Sequence, residues 1–232
     1  MSSRFNALSS PLRVMTWNVR SLRDDRDAVV RVMRAFAPDV VLLQEAPRFL
    51  RARSKLAALA RRSELVVAEG AGVEVAVMTS MRVDVSAGRT VQLSSTQGLH
   101  KRWAAFAELE IQLTTVTAVS VHLGLNGAQR VRHAAQVRDL LYEAGGSEVV
   151  IGADLNEESS ASAWGVLGHS LADAGEGANA ATFPAKLPQQ RIDALFVPAS
   201  WATRVVTADE VGCDAELIPA SDHRPVVVDV VG

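Results

Sequence analysis

Residues 39–45 read DVVLLQE, an apolar run with no polar alternation, closed by an acid. In an extended chain successive side chains point to opposite faces, so a strand apolar on both faces has to lie inside a sheet that is covered on both sides. That one segment excludes a half-solvated antiparallel sheet as the whole fold. It asks for layers, and the flanking sequence supplies them. LRVMTWNV (12–19) reads as a strand. DDRDAVVRVMRAFAP (24–38) follows, with Val29, Val32, Met33 and Phe36 at helical spacing, Asp24 or Asp25 as its cap and Pro38 past its end. RFLRARSKLAALARRS (48–63) predicts a second helix, with Leu56, Leu59 and Ala60 inward. GAQRVRHAAQVRDLLYEAG (127–145) predicts a third, ending at Gly145–Gly146. LVVAEG, VEVAVMTS, RWAAFAELEI, TTVTAVSVHL and SEVVIGADLN are strands, and RIDALFV and RPVVVDVV are the last two. Between them, 157–190 is rich in Gly, Ala and Ser and predicts a long loop with a short helix over Trp164–Leu171. Long loops in compact domains are often functional. No linker divides the chain, so one domain over 1–232 is expected, with 1–11 as a flexible tail.

Composition removes several function classes. The 232 residues are 48% apolar and carry a net charge of −2, so no global basic field points to nucleic acid, although a local patch still can. Cys213 is the single cysteine, which excludes an intramolecular disulfide and a cysteine-rich zinc site. No stretch reaches the roughly 20 apolar residues of a membrane span, and the start, MSSRFNALSS, has no signal-peptide core. A cytoplasmic location is expected. There is no GxxxxGK[ST] phosphate loop and no GxSxG elbow.

Polar residues interrupt the apolar strands at their ends. Asn18, Glu45, His122, Asp154 and Asn156 stand at C-terminal strand ends, where open α/β sheets place ligands. Asp193 and Asp222–His223 stand at strand starts. If the last strands run antiparallel to their neighbours, all of these residues reach one rim. Each alone reads as a turn residue, a cap neighbour or a half-buried histidine, and only their convergence argues for a site. Carboxylates and amide oxygens without cysteine suit a hard cation, Mg²⁺ or Mn²⁺. Histidines and an arginine suit a phosphate beside it.

The segments TWNV, LLQE, VHLG, GADLN, RIDALFV and SDHRPV, in this order over residues 13–230, resemble the endonuclease/exonuclease/phosphatase superfamily, which has the deoxyribonuclease I fold. The resemblance implies a four-layer α/β sandwich, two mixed β-sheets face to face with helices outside. It also implies divalent-metal-dependent phosphoester hydrolysis. By the same resemblance Glu45 is the principal metal ligand, helped by Asn18 and Asp222. Asp154 and Asn156 orient the attacking water and a phosphate oxygen; two residues apart, they would share a face of an extended chain. Asp193 holds His223, which faces the phosphate. His122 lies near the leaving group, with Glu74 as a possible orienting partner, and Arg102 in KRWAAF contacts phosphate. Some repair nucleases of the superfamily carry an aspartate where this chain has Arg20, so a single ion is expected.

The superfamily includes nucleases, sphingomyelinases, inositol-polyphosphate phosphatases and deadenylases. A phosphodiester is the expected substrate, with nucleic acid ahead of a small lipid- or inositol-type phosphoester. A non-catalytic binding protein is disfavoured because every expected catalytic position is filled. No protein partner is evident. Arg48, Arg51, Lys55 and Arg62 could line one helix face against phosphates, and Trp103, Phe183 and Trp164 are candidates for base stacking. ATFP (181–184) is expected at the rim, and Arg224 in a structural ion pair.

Overall fold

The computed structural model describes residues 10–112, 114–145, 148–178 and 180–232. Residues 1–9 of the expected tail and Gly146 of the expected helix stop lie outside the described residues. The first sheet contains β1 (Leu12–Asn18), β2 (Val40–Gln44), β3 (Val66–Glu69), β4 (Val75–Thr79), β11 (Ala202–Val205) and β12 (Val226–Val231), in the order β11-β12-β1-β2-β4-β3. The second contains β5 (Asp84–Gln92), β6 (Trp103–Ile111), β7 (Thr114–His122), β8 (Glu148–Asp154), β9 (Leu171–Asp173) and β10 (Asp193–Pro198), in the order β5-β6-β7-β8-β10-β9. Each sheet holds one parallel pair, β1–β2 and β7–β8, among antiparallel ones. A parallel pair needs a crossover, and α1 (Arg26–Phe36) and α3 (Gly127–Ala144) supply the two.

Local chemistry explains the helix ends. The Asp25 carboxylate accepts from Asp27 N at 2.8 Å and Ala28 N at 3.1 Å, so Asp25 rather than Asp24 is the cap of α1. The helix stops at Ala37 in the left-handed region, φ 47°, just before Pro38. Gly145, φ 68°, ends α3 in the same way.

Three apolar layers hold the sandwich. Val14, Leu42, Val77 and Val228 of the first sheet meet Ala105, Leu109, Val150 and Leu195 of the second. On the outer side of the first sheet, Met15, Trp17 and Leu43 pack against Val29, Met33 and Phe36 of α1, Leu56 and Leu59 of α2 (Ala52–Arg62) and Leu217 of α5 (Asp214–Ala220). On the outer side of the second, Phe106, Val119 and Ile151 pack against Ala134 and Val137 of α3 and Trp164 of α4 (Ser162–Leu167). This is the four-layer sandwich expected, and DVVLLQE is buried from both sides as its pattern requires. Among the described residues no helix is long and apolar enough to cross a membrane.

Several elements differ from the expectation. β5 was not anticipated: it is an exposed polar edge strand, so no apolar alternation marks it. β11 is likewise short and solvent-facing. α5 carries Pro219 inside, which hides its helical pattern. Within 157–190 the helix covers Ser162–Leu167 rather than Trp164–Leu171, and Leu171–Asp173 pairs with β10 instead.

The two sheets approach closely at Gly152 of GADLN. A Cβ there would stand 2.6 Å from Leu42 Cβ and 2.7 Å from Thr16 Oγ1 across the interface. Overpacking a rigid core typically costs about 1–3 kcal/mol. Gly152→Ala is therefore expected to lower stability by about that much. A urea midpoint unchanged from wild type would refute this close-packing account.

Candidate active site

Strand register brings the marked residues to one rim. In β7–β8 His122 pairs with Asp154, and in β8–β10 Asp193 pairs with Asp154. β12 runs antiparallel to β1, so Asp222 and His223, just before its start, meet Asn18 at the end of β1. Glu45 follows β2, whose last residue Gln44 pairs with Asn18. The first sheet contributes Asn18, Glu45, Asp222 and His223; the second contributes His122, Asp154, Asn156 and Asp193.

Asp154 is the hub of this rim. Its Oδ2 accepts from Asn18 Nδ2 at 2.9 Å and lies 3.3 Å from His122 Nε2 and 4.0 Å from His223 Nε2. Its Oδ1 accepts from the Asn156 backbone N at 3.0 Å. The chain does not stay extended here. Asn156 turns into the left-handed region, φ 52°, a conformation asparagine tolerates. Its side chain reaches His122 Nε2 and Leu123 O, each at 3.0 Å.

Asp193 and His223 form a buried pair, His223 Nδ1 lying 2.9 Å from Asp193 Oδ2. Burial disfavours the charged ring, but the Asp193 charge and hydrogen bond, then Asp154 and Asp222, outweigh it and raise the His223 pKa to about 9. The position is braced from several directions. Trp17 Nε1 donates to His223 O at 2.8 Å, and Phe183 of ATFP packs its ring 4.9 Å from the imidazole. Thr182 Oγ1 accepts from Asp193 N at 3.3 Å. Neither Trp17 nor Thr182 was marked from sequence, although both sit within quoted motifs. Arg224 donates to Ala185 O at 2.9 Å and lies 3.7 Å from Asp214, a structural contact as expected.

His122 is in the opposite electrostatic condition. Full burial pushes its pKa down to about 3; Asp154 opposes this, and Arg102 adds to it. Arg102 Nη1 lies 3.0 Å from His122 Nδ1 and 3.1 Å from Glu74 Oε2. Glu74 therefore reaches His122 only through Arg102. It also takes Arg48 Nη1 at 2.8 Å, and its own pKa is raised by burial against the pull of both arginines. Arg102 itself is only 7% exposed. Expected at the phosphate, it instead supports His122 from behind, because Glu74 lies beneath it.

Glu45 sits at φ 47°, half-buried, and its charge is felt by Arg20 and Glu74. Asp222 lies 3.2 Å from Arg20 Nε, and Asn18 Oδ1 accepts from Arg20 N at 2.9 Å. Arg20 was noted as a replaced aspartate; the structure makes it the ion partner of Asp222. Among the described residues, the group of His, Cys, Asp or Glu whose ligand atoms lie within 4.8 Å of one another is Asp154, Asp193 and His223, and it could hold a metal. The donor set fits a hard cation. It is oxygen-rich and cysteine-free, and Asp193 Oδ1 is buried with no hydrogen-bond partner.

The other candidates disperse. Arg62 pairs with Asp27, away from the rim. Trp164 is buried edge-on to Phe196, and Trp103 packs beside the inter-sheet core. Of the three aromatics considered for stacking, Phe183 is the one against the site.

The sequence model of the endonuclease/exonuclease/phosphatase family matches residues 15–223. The chain belongs to that family. Membership makes it a hydrolase of phosphoric esters. No curated protein matches the sequence. Solved structures show the same fold at low identity. The Bacteroides thetaiotaomicron mannosyl-6-phosphatase is 17% identical with a TM-score of 0.74, over 95% of this chain and 100% of that one. The human Nocturnin catalytic domain with bound sulfate is 16% identical with a TM-score of 0.75, over 95% and 93%. Humanized Danio rerio TDP2 is 18% identical with a TM-score of 0.70, over 97% and 100%.

Proposed function

We propose that this family member is a divalent-metal-dependent phosphodiesterase, with nucleic acid as its leading substrate class. The observation that carries the reading is the meeting of opposite protonation demands on Asp154. A cationic His223 and a neutral, buried His122 flank one carboxylate, and Glu45 and Asp222 stand at the same rim on the facing sheet. Asp154 positions the attacking water and accepts its proton. Asn156 and the His223 imidazolium take the charge that builds on the phosphoryl oxygens. His122 faces the leaving-group side.

Glu45, Asn18 and Asp222 are the proposed metal holders. An all-oxygen set suits a hard cation better than the cluster that includes the His223 imidazole. A bound Mg²⁺ or Mn²⁺, one ion in our reading, supplies Lewis acidity at the phosphoryl group. Glu45→Gln keeps the shape and removes the charge. It is expected to abolish measurable Mg²⁺ binding by calorimetry while the thermal transition survives; wild-type binding would remove Glu45 from the ligand set.

Nucleic acid leads because the loops bordering the rim are locally basic. Arg51, Arg53 and Lys101 make no ion pair with the described residues, and Phe49 is exposed between Arg48 and Arg51. A small phosphodiester or phosphomonoester is the second reading, supported by the fold shared with the mannosyl-6-phosphatase. Mg²⁺ and Mn²⁺ assays on plasmid DNA, abasic duplex, RNA, bis-p-nitrophenyl phosphate and inositol phosphates decide between them. Cleavage confined to the small esters would overturn the nucleic-acid reading, and inactivity on all would overturn hydrolysis.

A further inference from the structure

Three groups of fixed hydrogen-bonding sense converge on the His122 ring, which is 3% exposed. Arg102 Nη1 stands 3.0 Å from Nδ1. A guanidinium only donates, so Nδ1 has to accept and carries no proton. Asp154 Oδ2 stands 3.3 Å from Nε2, and a carboxylate only accepts. Asn156 Nδ2 stands 3.0 Å from the same Nε2, and Leu123 O accepts from it at 3.0 Å, which identifies this end of the amide as the donor.

A neutral imidazole has one N–H and one lone pair. The ring cannot accept at both nitrogens, so one of the two donors is surplus. Removing the Arg102 bond would set a buried cation against an N–H. Removing the Asn156 bond costs a neutral amide one of its two hydrogens, and the carboxylate on Nε2 favours a proton there. Arg102 therefore wins and the ring proton sits on Nε2. One Asn156 amide hydrogen is left over, next to the Nε2–H, at the mouth of the site. Glu74 keeps Arg102 in this position: it is 2% exposed and accepts from the same Nη1 at 3.1 Å. That nitrogen has two hydrogens, one for the carboxylate and one for the ring.

We propose that Arg102 is a positioning residue that fixes His122 as the neutral Nε2–H tautomer, so that the ring holds Asp154 Oδ2 through its one N–H and keeps its proton. In the Glu74–Arg102–His122 chain, Glu74, expected from sequence as an orienting partner of His122, acts on the ring through Arg102. A neutral ring does not hand a proton to a poor leaving group. Proton delivery to the leaving oxygen of a nucleic-acid phosphodiester therefore has to come from solvent or from another group of the rim. This rests on the phosphoester-hydrolase reading for its purpose, but the ring state is measurable without substrate.

The test is a long-range ¹H–¹⁵N correlation on ¹⁵N-histidine-labelled, metal-free full-length protein near neutral pH, with the His122 signals assigned from His122→Asn. The expected result is a single Nε2–H tautomer in wild type. Arg102→Met removes the donor that keeps Nδ1 bare, so Nδ1 should gain a proton, as the Nδ1–H tautomer or, beside Asp154, as the imidazolium, and the paired variant Glu74→Gln/Arg102→Met should do the same without leaving the buried Glu74 charge with Arg48 as its one partner. An imidazolium or an Nδ1–H ring in wild type overturns the proposal. So does an unchanged tautomer in whichever of the two variants folds. Inactivity on every phosphoester would sink the hydrolase reading and leave this spectrum unaltered, so the two failures are separable.

Discussion

Asp154→Asn is expected to lower kcat on any accepted phosphodiester by about 10²–10⁴, the range for losing a positioned acid–base group. The substitution preserves volume, so the loss is a matter of charge and hydrogen-bonding sense. In wild type both oxygens of Asp154 accept, from Asn18 Nδ2 at 2.9 Å and from Asn156 N at 3.0 Å, while two imidazoles lie at 3.3 and 4.0 Å. An amide has only one accepting end, so one of these donors is left facing another donor. The variant also cannot take a proton from water. KM should move much less than kcat, because the group acts on the water and not on the resting substrate. Rates within threefold of wild type, with a normal melting transition, would remove Asp154 from the chemistry.

Asp193→Asn should produce the second large effect, read on the metal-free protein by following the His223 ring proton through a pH titration. Wild type is expected to titrate near 9, because Asp193 opposes the burial penalty. Without that charge only Asp154 and Asp222 oppose the burial penalty, and the midpoint should fall well below 9, toward the ordinary value of about 6.5. Stability follows the same sign. A folded-state pKa above the unfolded one means that the pair stabilises the fold fully below about 6.5 and ceases to do so as pH rises through about 9. The denaturation midpoint of wild type should therefore decline over that window, and that of Asp193→Asn should not. A His223 midpoint that does not move in the variant would show that Asp193 does not set its charge.

Much of the fold was legible because its signals are local. A strand apolar on both faces, the apolar stripes of α1 and α2 and the Asp25 cap point to one architecture, and they agree with one another. β5 and β11 escaped because an edge strand facing solvent has no core to impose a pattern. The site was legible as a set of polar residues at strand ends, since the register in β7–β8–β10 places His122, Asp154 and Asp193 side by side. What the sequence could not show was which polar group touches which. Glu74 and His122 are separated by a guanidinium whose position depends on two loops and three strands. Asn156 faces His122 through a left-handed turn rather than along a strand, and no periodicity encodes that turn.

The rim joins the first of the marked strand-end residues, Asn18, to the last, His223. Asn18 and His223 are both needed around Asp154, and β12 reaches its place only by lying against β1. A chain still being synthesised, with β12 inside the ribosome exit tunnel, has every group of the second sheet but neither the imidazolium nor Asp222. The rim is complete only when β12 has paired with β1.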